Sequence, residues 1–151
     1  RTDSGLLAVN RSRPNRFTTD NWLRAANADH VLPPGSNDGF QCMEEACSIE
    51  VREGARIVHV RDEAAATRQC ASAVLVVVED ATASPDCGPA GAVVITARDL
   101  ARRGSAAVRL DSGRAVPVFA ISEPFRPWHE HRRYSREARG MAPWRPGGAE
   151  D

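Results

Sequence analysis

The chain has 151 residues and carries 20 basic and 20 acidic side chains, so its formal net charge is zero. This length suits one domain or part of a larger one, and the balanced charge excludes binding of nucleic acid through an overall positive charge. Hydrophobic residues make up 42% of the chain, but only 5% of the residues are aromatic. We therefore expect a modest core that covalent cross-links would stabilise.

The start of the sequence shows no targeting signal. The chain begins at Arg1, and no charged segment followed by an apolar one comes after it. The longest apolar run, residues 73–78, is too short to cross a bilayer. We expect the chain to be a fragment of a longer protein, with any signal or membrane anchor outside it.

The N-terminal part of the sequence predicts a short strand, one helix and a loop. Residues 5–9 form the strand candidate, and residues 19–27 form the helix candidate. Thr18 is placed to cap this helix at its N-terminus. Residues 28–39, which are rich in Pro, Gly and Asn, are expected to form a loop.

The middle of the sequence predicts a hairpin, a helix and a buried strand. Residues 47–51 and 55–60 flank a short turn, as the strands of a hairpin do. Asp62 is placed to cap an Ala-rich helix that runs to about Ser72. The continuous apolar run of residues 73–78 indicates a strand that is covered on both faces, as in a parallel sheet.

The residues that follow predict one more strand, a capped helix and a second hairpin. Residues 91–95 form the strand candidate. Thr96 and Asp99 have the spacing of reciprocal caps at a helix start, and Gly104 is suited to the helix end. The strands of the second hairpin are expected at residues 106–110 and 115–121.

This order of elements predicts the α/β class, with a mixed, partly parallel sheet, flanking helices and hairpins at the edges. We expect one domain over residues 1–128. Residues 129–151 are rich in Arg, Pro and Gly, and no periodic pattern continues there, so we expect a disordered tail.

The four cysteines are the strongest chemical signal in the sequence. Cys42 and Cys47 form one close pair, and Cys70 and Cys87 bracket the apolar strand. Pairing each cysteine with its near neighbour is the simplest of three disulfide connectivities, and it indicates an oxidising compartment. Two alternatives stay open. The thiolates could bind a structural zinc ion, although C-x4-C and C-x16-C are wider than the usual spacings, or all four could be reduced and buried.

The other candidates for chemistry favour ordinary structural roles. His59 lies in a hairpin strand, and we expect it to face solvent, while His129 and His131 have the spacing of metal ligands but no third ligand nearby. Glu79 and Asp80 follow the apolar strand, and we expect them to cap a loop. No phosphate-binding loop, nucleophile elbow or zinc-protease motif is present, so we expect no cofactor, no metal site and no small-molecule substrate.

Every basic residue is arginine, and two segments concentrate it. These segments could contact phosphates, with single-stranded DNA as a possible partner, and the second could also bind anionic lipid; alternatively, they could be solvated surface. Tyr134 and Trp144 are interleaved with the arginines of the second segment. The candidate nucleic-acid-binding residues are Arg11, Arg13 and Arg16 in the first segment and Arg132, Arg133 and Arg136 in the second.

Several motifs follow one another in a specific order over about residues 6–128. They are Phe40-x-Cys42 with Cys47, Cys70 with the apolar strand after it, Cys87, Val93-Val-Ile-x-x-x-Asp99-Leu, and Arg126-Pro-Trp128. In this order they resemble the C-terminal region of the ComEC family, as it occurs in alphaproteobacteria. ComEC proteins are multi-pass membrane proteins that move single-stranded DNA across the inner membrane during natural transformation.

The resemblance implies the second half of a metallo-β-lactamase-like domain on the periplasmic face of the inner membrane. Its partner would be the transmembrane channel of the same parent protein. In family members with an intact metal site, the strand that corresponds to residues 73–78 runs into a His-His-Gly-Ser segment. Here that strand runs into Glu79-Asp80-Ala-Thr, so the histidines that bind metal in those members are absent. The resemblance therefore implies no catalytic residue in this chain.

We therefore expect the chain to be part of a DNA-uptake protein that is catalytically degenerate and cross-linked through its cysteines. Two alternatives remain. One is a metal-dependent hydrolase or nuclease whose site is rebuilt from Glu79, Asp80 or Asp86, and the other is an interaction module that binds zinc through the four cysteines.

Overall fold

The computed structural model describes residue 2 and residues 4–89, 91–122 and 126–142. In chain order, the elements are β1 (Leu7–Ala8), α1 (Arg16–Ala26), β2 (Val31–Leu32), β3 (Gln41–Cys42), β4 (Ala46–Val51), β5 (Ala55–Val60), α2 (Glu63–Gln69), β6 (Leu75–Val78), β7 (Val93–Thr96), α3 (Ala97–Arg103), β8 (Ala106–Asp111) and β9 (Arg114–Phe119). Short 3-10 helices follow β4 and β9, at Arg52–Gly54 and Pro127–Tyr134. None of the helices in the described part of the chain has the length and apolar character needed to cross a membrane.

A five-stranded mixed sheet forms the centre of the structure, with the strand order β3-β4-β5-β6-β7. Strand β4 is antiparallel to both of its neighbours, β3 and β5, and β5, β6 and β7 are parallel. The predicted α/β class and the partly parallel sheet are confirmed. The apolar run that indicated a parallel strand is β6, which lies between two parallel neighbours.

One face of the sheet packs against α2. Val58, Val60, Val76 and Val78 are fully buried there, together with Ala66 of the helix. Because successive side chains of a strand point to opposite faces, these alternate valines of β5 and β6 all lie on this face. The small alanines of α2 allow close approach to the valines, so a core with few aromatic side chains can still be filled.

The opposite face packs against the hairpin of β8 and β9. Leu75 and Ile95 of the sheet lie against Ala115 of the hairpin, and Leu110 and Phe119 complete this cluster. The hairpin turns through Ser112 and Gly113, which both have positive φ angles of 50° and 75°. Such a pair of left-handed residues matches the twist of the two strands, and the predicted hairpin is therefore confirmed.

The crossover from β6 to β7 is a loop rather than a helix. A disulfide between Cys70 and Cys87 ties this loop to the end of α2, and the Cα atoms of the two residues are 5.0 Å apart. A side chain at Gly91 would place its Cβ only 1.9 Å from the carbonyl oxygen of Cys87. The loop therefore needs glycine at this position in order to return to the sheet.

The helix caps agree with the sequence prediction at two helices and differ at the third. Asp62 accepts a hydrogen bond from the backbone of Ala65 at the start of α2, and Thr96 and Asp99 cap α3 reciprocally. The cap of α1 is Asn15, whose Oδ1 accepts from the backbone N–H of Thr18. The predicted cap at Thr18 is wrong because Asn15 lies three residues earlier and is an equally good capping residue.

The segment after residue 128 differs from the expected disordered tail as far as the structure describes it. Pro127–Tyr134 is a 3-10 helix that contacts α3. Arg102 donates a hydrogen bond from Nε to the carbonyl oxygen of Ala138 at 2.7 Å, and Ala138 is buried. These contacts fix the segment through its backbone, which composition alone does not reveal. Trp144 and the rest of residues 143–151 lie outside the described residues.

Candidate functional site

Both cysteine pairs are disulfides, as the spacing of the cysteines predicted. Cys42 and Cys47 are direct partners across β3 and β4, and Cys70 pairs with Cys87. Their surroundings differ. Cys87 packs against the apolar cluster beneath α2, whereas Cys42 is exposed on the edge strand of the sheet. With both pairs oxidised, none of the four sulfurs is a thiolate that could bind zinc.

A polar cleft lies where the parallel strands end. It has a volume of about 170 Å³, and its lining includes Arg11, Cys47, His59 and Glu79. His59 belongs to β5, and Glu79 directly follows β6, where its backbone N–H donates to the carbonyl oxygen of Val60. Parallel pairing of these two strands therefore brings together side chains that are 20 positions apart in the sequence.

Glu79 is the centre of the charge arrangement in this cleft. Its Oε1 lies 3.3 Å from Nε2 of His59 and 3.4 Å from Nη2 of Arg11. The side chain of His59 is only 21% exposed. The expectation of a solvent-facing histidine is therefore corrected, because the strand that carries it is covered by the loop of Arg11 and by Glu79.

Burial lowers the pKa of His59 below its usual value, and this effect outweighs the opposing attraction of the Glu79 carboxylate; the nearby Arg11 guanidinium lowers the pKa further. The imidazole is accordingly neutral at pH 7. A carboxylate can only accept hydrogen bonds, so Oε1 of Glu79 beside Nε2 favours the tautomer that carries the proton on Nε2. In that tautomer, Nδ1 carries the lone pair of a base.

The other acidic candidates serve the loops in which they lie. Asp80 accepts hydrogen bonds from the backbone N–H and the hydroxyl of Thr82, both at 2.7 Å, and Asp86 accepts from the backbone of Gly88. Within residues 4–89, 91–122 and 126–142, no group of three or more His, Cys, Asp or Glu side chains could hold a metal ion. The expectation that Asp80 caps its loop agrees with these contacts.

The first arginine segment forms the exposed approach to α1. Arg11 reaches Glu79, and Arg16 lies 3.8 Å from Asp20 one turn further along the helix. Arg13 is exposed between them. Within α1 only Thr19 is buried, so the helix presents most of its surface to solvent. Phe17 and Trp22 of this helix are 78% and 52% exposed.

The second arginine segment is anchored to α3. Arg132 donates to the carbonyl oxygen of Ala101, and Arg136 donates twice to that of Ala142. Arg133 lies 3.4 Å from Glu130. Trp128 and Tyr134 are 63% and 70% exposed in the same segment, and the guanidinium of Arg126 lies over the Trp128 ring.

Some of the aromatic side chains pack into apolar clusters and others are exposed, and the sequence did not reveal which ones. The chain has four Phe, three Trp and one Tyr. Phe40 and Phe119 pack into apolar clusters. Among the aromatic residues that the structure describes, the exposed ones lie in or beside the two arginine segments, and they are Phe17, Trp22, Trp128 and Tyr134. The interleaving of Arg and aromatic residues in the sequence was the only signal for this arrangement, and it pointed to the second segment alone.

Comparison of the chain with protein-family models, with curated proteins and with solved structures finds no match. The fold and the arrangement of side chains therefore define the protein at the level of a disulfide-linked α/β chain with a mixed five-stranded sheet.

Proposed function

We propose that the chain is a periplasmic part of a ComEC-type DNA-uptake protein, and that it holds single-stranded DNA near a transmembrane channel without cutting it. The observation that carries this proposal is the pairing of exposed aromatic side chains with arginines on two surfaces. Bases stack on aromatic rings, and guanidinium groups contact phosphates, so the two residue types together suit an unpaired strand.

The first of these surfaces, which we call the α1 surface, consists of Arg13, Arg16, Phe17 and Trp22. Exposing a large aromatic side chain to water costs free energy, roughly 25 cal/mol for each Å² of apolar area. A small core that leaves both Phe17 and Trp22 exposed therefore forgoes stability that their burial would have provided. Contact with bases would recover part of that free energy.

The second surface, which we call the C-terminal surface, consists of Arg126, Trp128, Arg133, Tyr134 and Arg136. Hydrogen bonds from arginine side chains to backbone carbonyls join this segment to α3 and hold it in place. A surface that is already ordered loses less conformational entropy on binding than a disordered tail does. Because the net charge of the chain is zero, affinity for DNA would come from these local clusters and not from the charge of the whole chain.

Two further features support the proposal. The disulfides suit an oxidising compartment such as the periplasm. The order of the motifs along residues 6–128 supplies the link to the ComEC family, and that link rests on sequence resemblance.

The test is binding of a fluorescent oligothymidine, measured by anisotropy over a range of salt concentrations. We expect affinity to fall steeply with salt, because each phosphate contact contributes about −0.7 to the slope for a single strand. Trp22→Ala should weaken binding by about 1–3 kcal/mol, the usual value of one stacked base. The matched pair of charge variants is Arg13→Gln and Arg114→Gln, since Arg114 is exposed at the start of β9, outside both arginine segments. Absence of binding at low salt, or equal effects of the two charge variants, would remove the proposal.

A metal-dependent hydrolase is the second candidate, and the contact between His59 and Glu79 at the ends of the parallel strands favours it. Its metal ligands would have to come partly from residues outside this chain. Metal-dependent nuclease activity of the complete domain that is lost in Asp80→Ala would favour the hydrolase. Activity that is unchanged by Asp80→Ala and by Glu79→Gln would exclude it.

A further inference from the structure

The disulfide between Cys42 and Cys47 lies directly beside the His59 cleft. Cys47 and His59 are Cα partners across β4 and β5, and Cys42 is the partner of Cys47 on β3. Residues opposite each other in antiparallel strands share one face of the sheet, with Cβ atoms about 4.5–5.5 Å apart. The disulfide and the imidazole are therefore neighbours on one face, and both Cys47 and His59 line the cleft.

The Cys42–Cys47 disulfide can be opened without disturbing the core. Cys42 is exposed on a two-residue edge strand, and the residue after it, Met43, is 87% exposed. Neither cysteine of this pair belongs to the three apolar clusters, whereas Cys87 packs into one of them. The attacking sulfur of a substrate has a free approach from the edge of the sheet.

We propose that Cys42–Cys47 is a thiol–disulfide exchange site that oxidises dithiols, with His59 as the proton carrier and Glu79 as the residue that positions it. The substrate class is a peptide or protein segment with two thiols. This inference does not rest on the proposed function.

The reaction balances in two steps. Nδ1 of His59 takes the proton of the first substrate thiol, and the thiolate attacks the sulfur of Cys42, which is an exposed residue. A substrate–Cys42 disulfide forms, the bond between Cys42 and Cys47 breaks, and the electron pair goes to Cys47, which receives the proton from His59. The second substrate thiol then attacks the substrate sulfur of the mixed disulfide, and its proton goes to Cys42. The substrate loses two electrons and two protons, and the cysteine pair gains them.

The charges around His59 suit this role. Oε1 of Glu79 lies beside Nε2 of His59 and favours the tautomer in which Nδ1 is the base, and Arg11 contacts the same Oε1 atom. The remaining charged groups that line the cleft are Glu44, Glu45 and Arg61, and Glu45 is paired with Arg68. The neutral imidazole can therefore accept a proton at pH 7.

The test mixes the oxidised 151-residue chain with a synthetic peptide that contains a Cys-x-x-Cys dithiol, under native conditions. Free thiols are alkylated at intervals, and peptide mapping by mass spectrometry follows each disulfide separately. We expect the peptide to be oxidised in step with the loss of Cys42–Cys47, while Cys70–Cys87 and the circular dichroism spectrum stay unchanged. Cys70–Cys87 serves as the internal control, so this part of the test needs no variant.

The role of His59 is tested with His59→Gln against His30→Gln, since His30 is an exposed loop histidine. We expect His59→Gln to slow the exchange by about tenfold or more and to remove one inflection from its pH profile, with no change for His30→Gln. Glu79→Gln should shift that inflection and keep part of the rate. Loss of both disulfides at equal rates, resistance of both until the chain unfolds, or equal rates for the two histidine variants would overturn the proposal.

Discussion

The double variant Cys70→Ala with Cys87→Ala removes the Cys70–Cys87 disulfide. It should destabilise the chain more than removal of the Cys42–Cys47 disulfide does. The closed loop spans a sequence separation of 17, and loop-closure entropy assigns such a cross-link about 3 kcal/mol. The Cys42–Cys47 loop has a separation of only 5, which gives about 2 kcal/mol. Packing of Cys87 against the cluster beneath α2 increases the difference, because alanine leaves part of that space empty.

The assay is urea-induced unfolding followed by circular dichroism at 25 °C. With a slope of about 2 kcal/mol per M, the midpoint should fall by about 1.5 M for the Cys70–Cys87 variant and by about 1 M for the Cys42–Cys47 variant. The slope itself should rise slightly in both variants, because the unfolded chain becomes less compact without its cross-link. If the Cys42–Cys47 variant is the less stable of the two, loop closure does not determine the contribution of these disulfides, and the argument fails.

Three further predictions concern single residues. Gly91→Ala should lower the free energy of unfolding by more than about 2 kcal/mol, because the new Cβ would clash with the Cys87 carbonyl oxygen. Urea unfolding measures this change. An unchanged free energy of unfolding would mean that the loop can shift to make room for the Cβ. Asp62→Ala should cost about 1 kcal/mol in the same assay through loss of the α2 cap, and an unchanged midpoint would contradict that role. Because burial lowers the pKa of folded His59, the unfolded state binds the proton first as pH falls below about 6.5. The free energy of unfolding should therefore decrease below that pH, and His59→Gln should lose this decrease when unfolding is measured at pH 7.5 and pH 5.

The sequence predicted the elements whose signals are local. The apolar run of β6 indicated a parallel strand, and the caps of α2 and α3 were readable because each uses a side chain within three residues of the bonded backbone group. The error at α1 has the same physical origin. Asn15 and Thr18 are both capping residues, and only the start of the helix at Arg16 decides between them.

The candidate site could not be predicted in the same way, because its contacts join distant parts of the chain. His59 meets Glu79 only through the parallel pairing of β5 with β6, and Arg11 reaches Glu79 from a loop 68 positions earlier. The order of the C-terminal segment likewise depends on Arg102 of α3 bonding to the backbone at Ala138. Neither a periodic pattern nor composition carries such information.

Arg11 joins the two proposed activities, because it belongs to the first arginine segment and also to the cleft. Its guanidinium lies 3.4 Å from Glu79, and its side chain remains exposed enough to contact a phosphate. A phosphate that drew Arg11 away from Glu79 would remove a positive charge beside His59. The pKa of His59 would then rise, since Arg11 holds it down. Bound DNA would thus make the imidazole a stronger base beside the Cys42–Cys47 disulfide. The exchange site and the first arginine segment would therefore be coupled through the ion pair of Arg11 with Glu79, whereas Arg13 and Arg16 do not line the cleft.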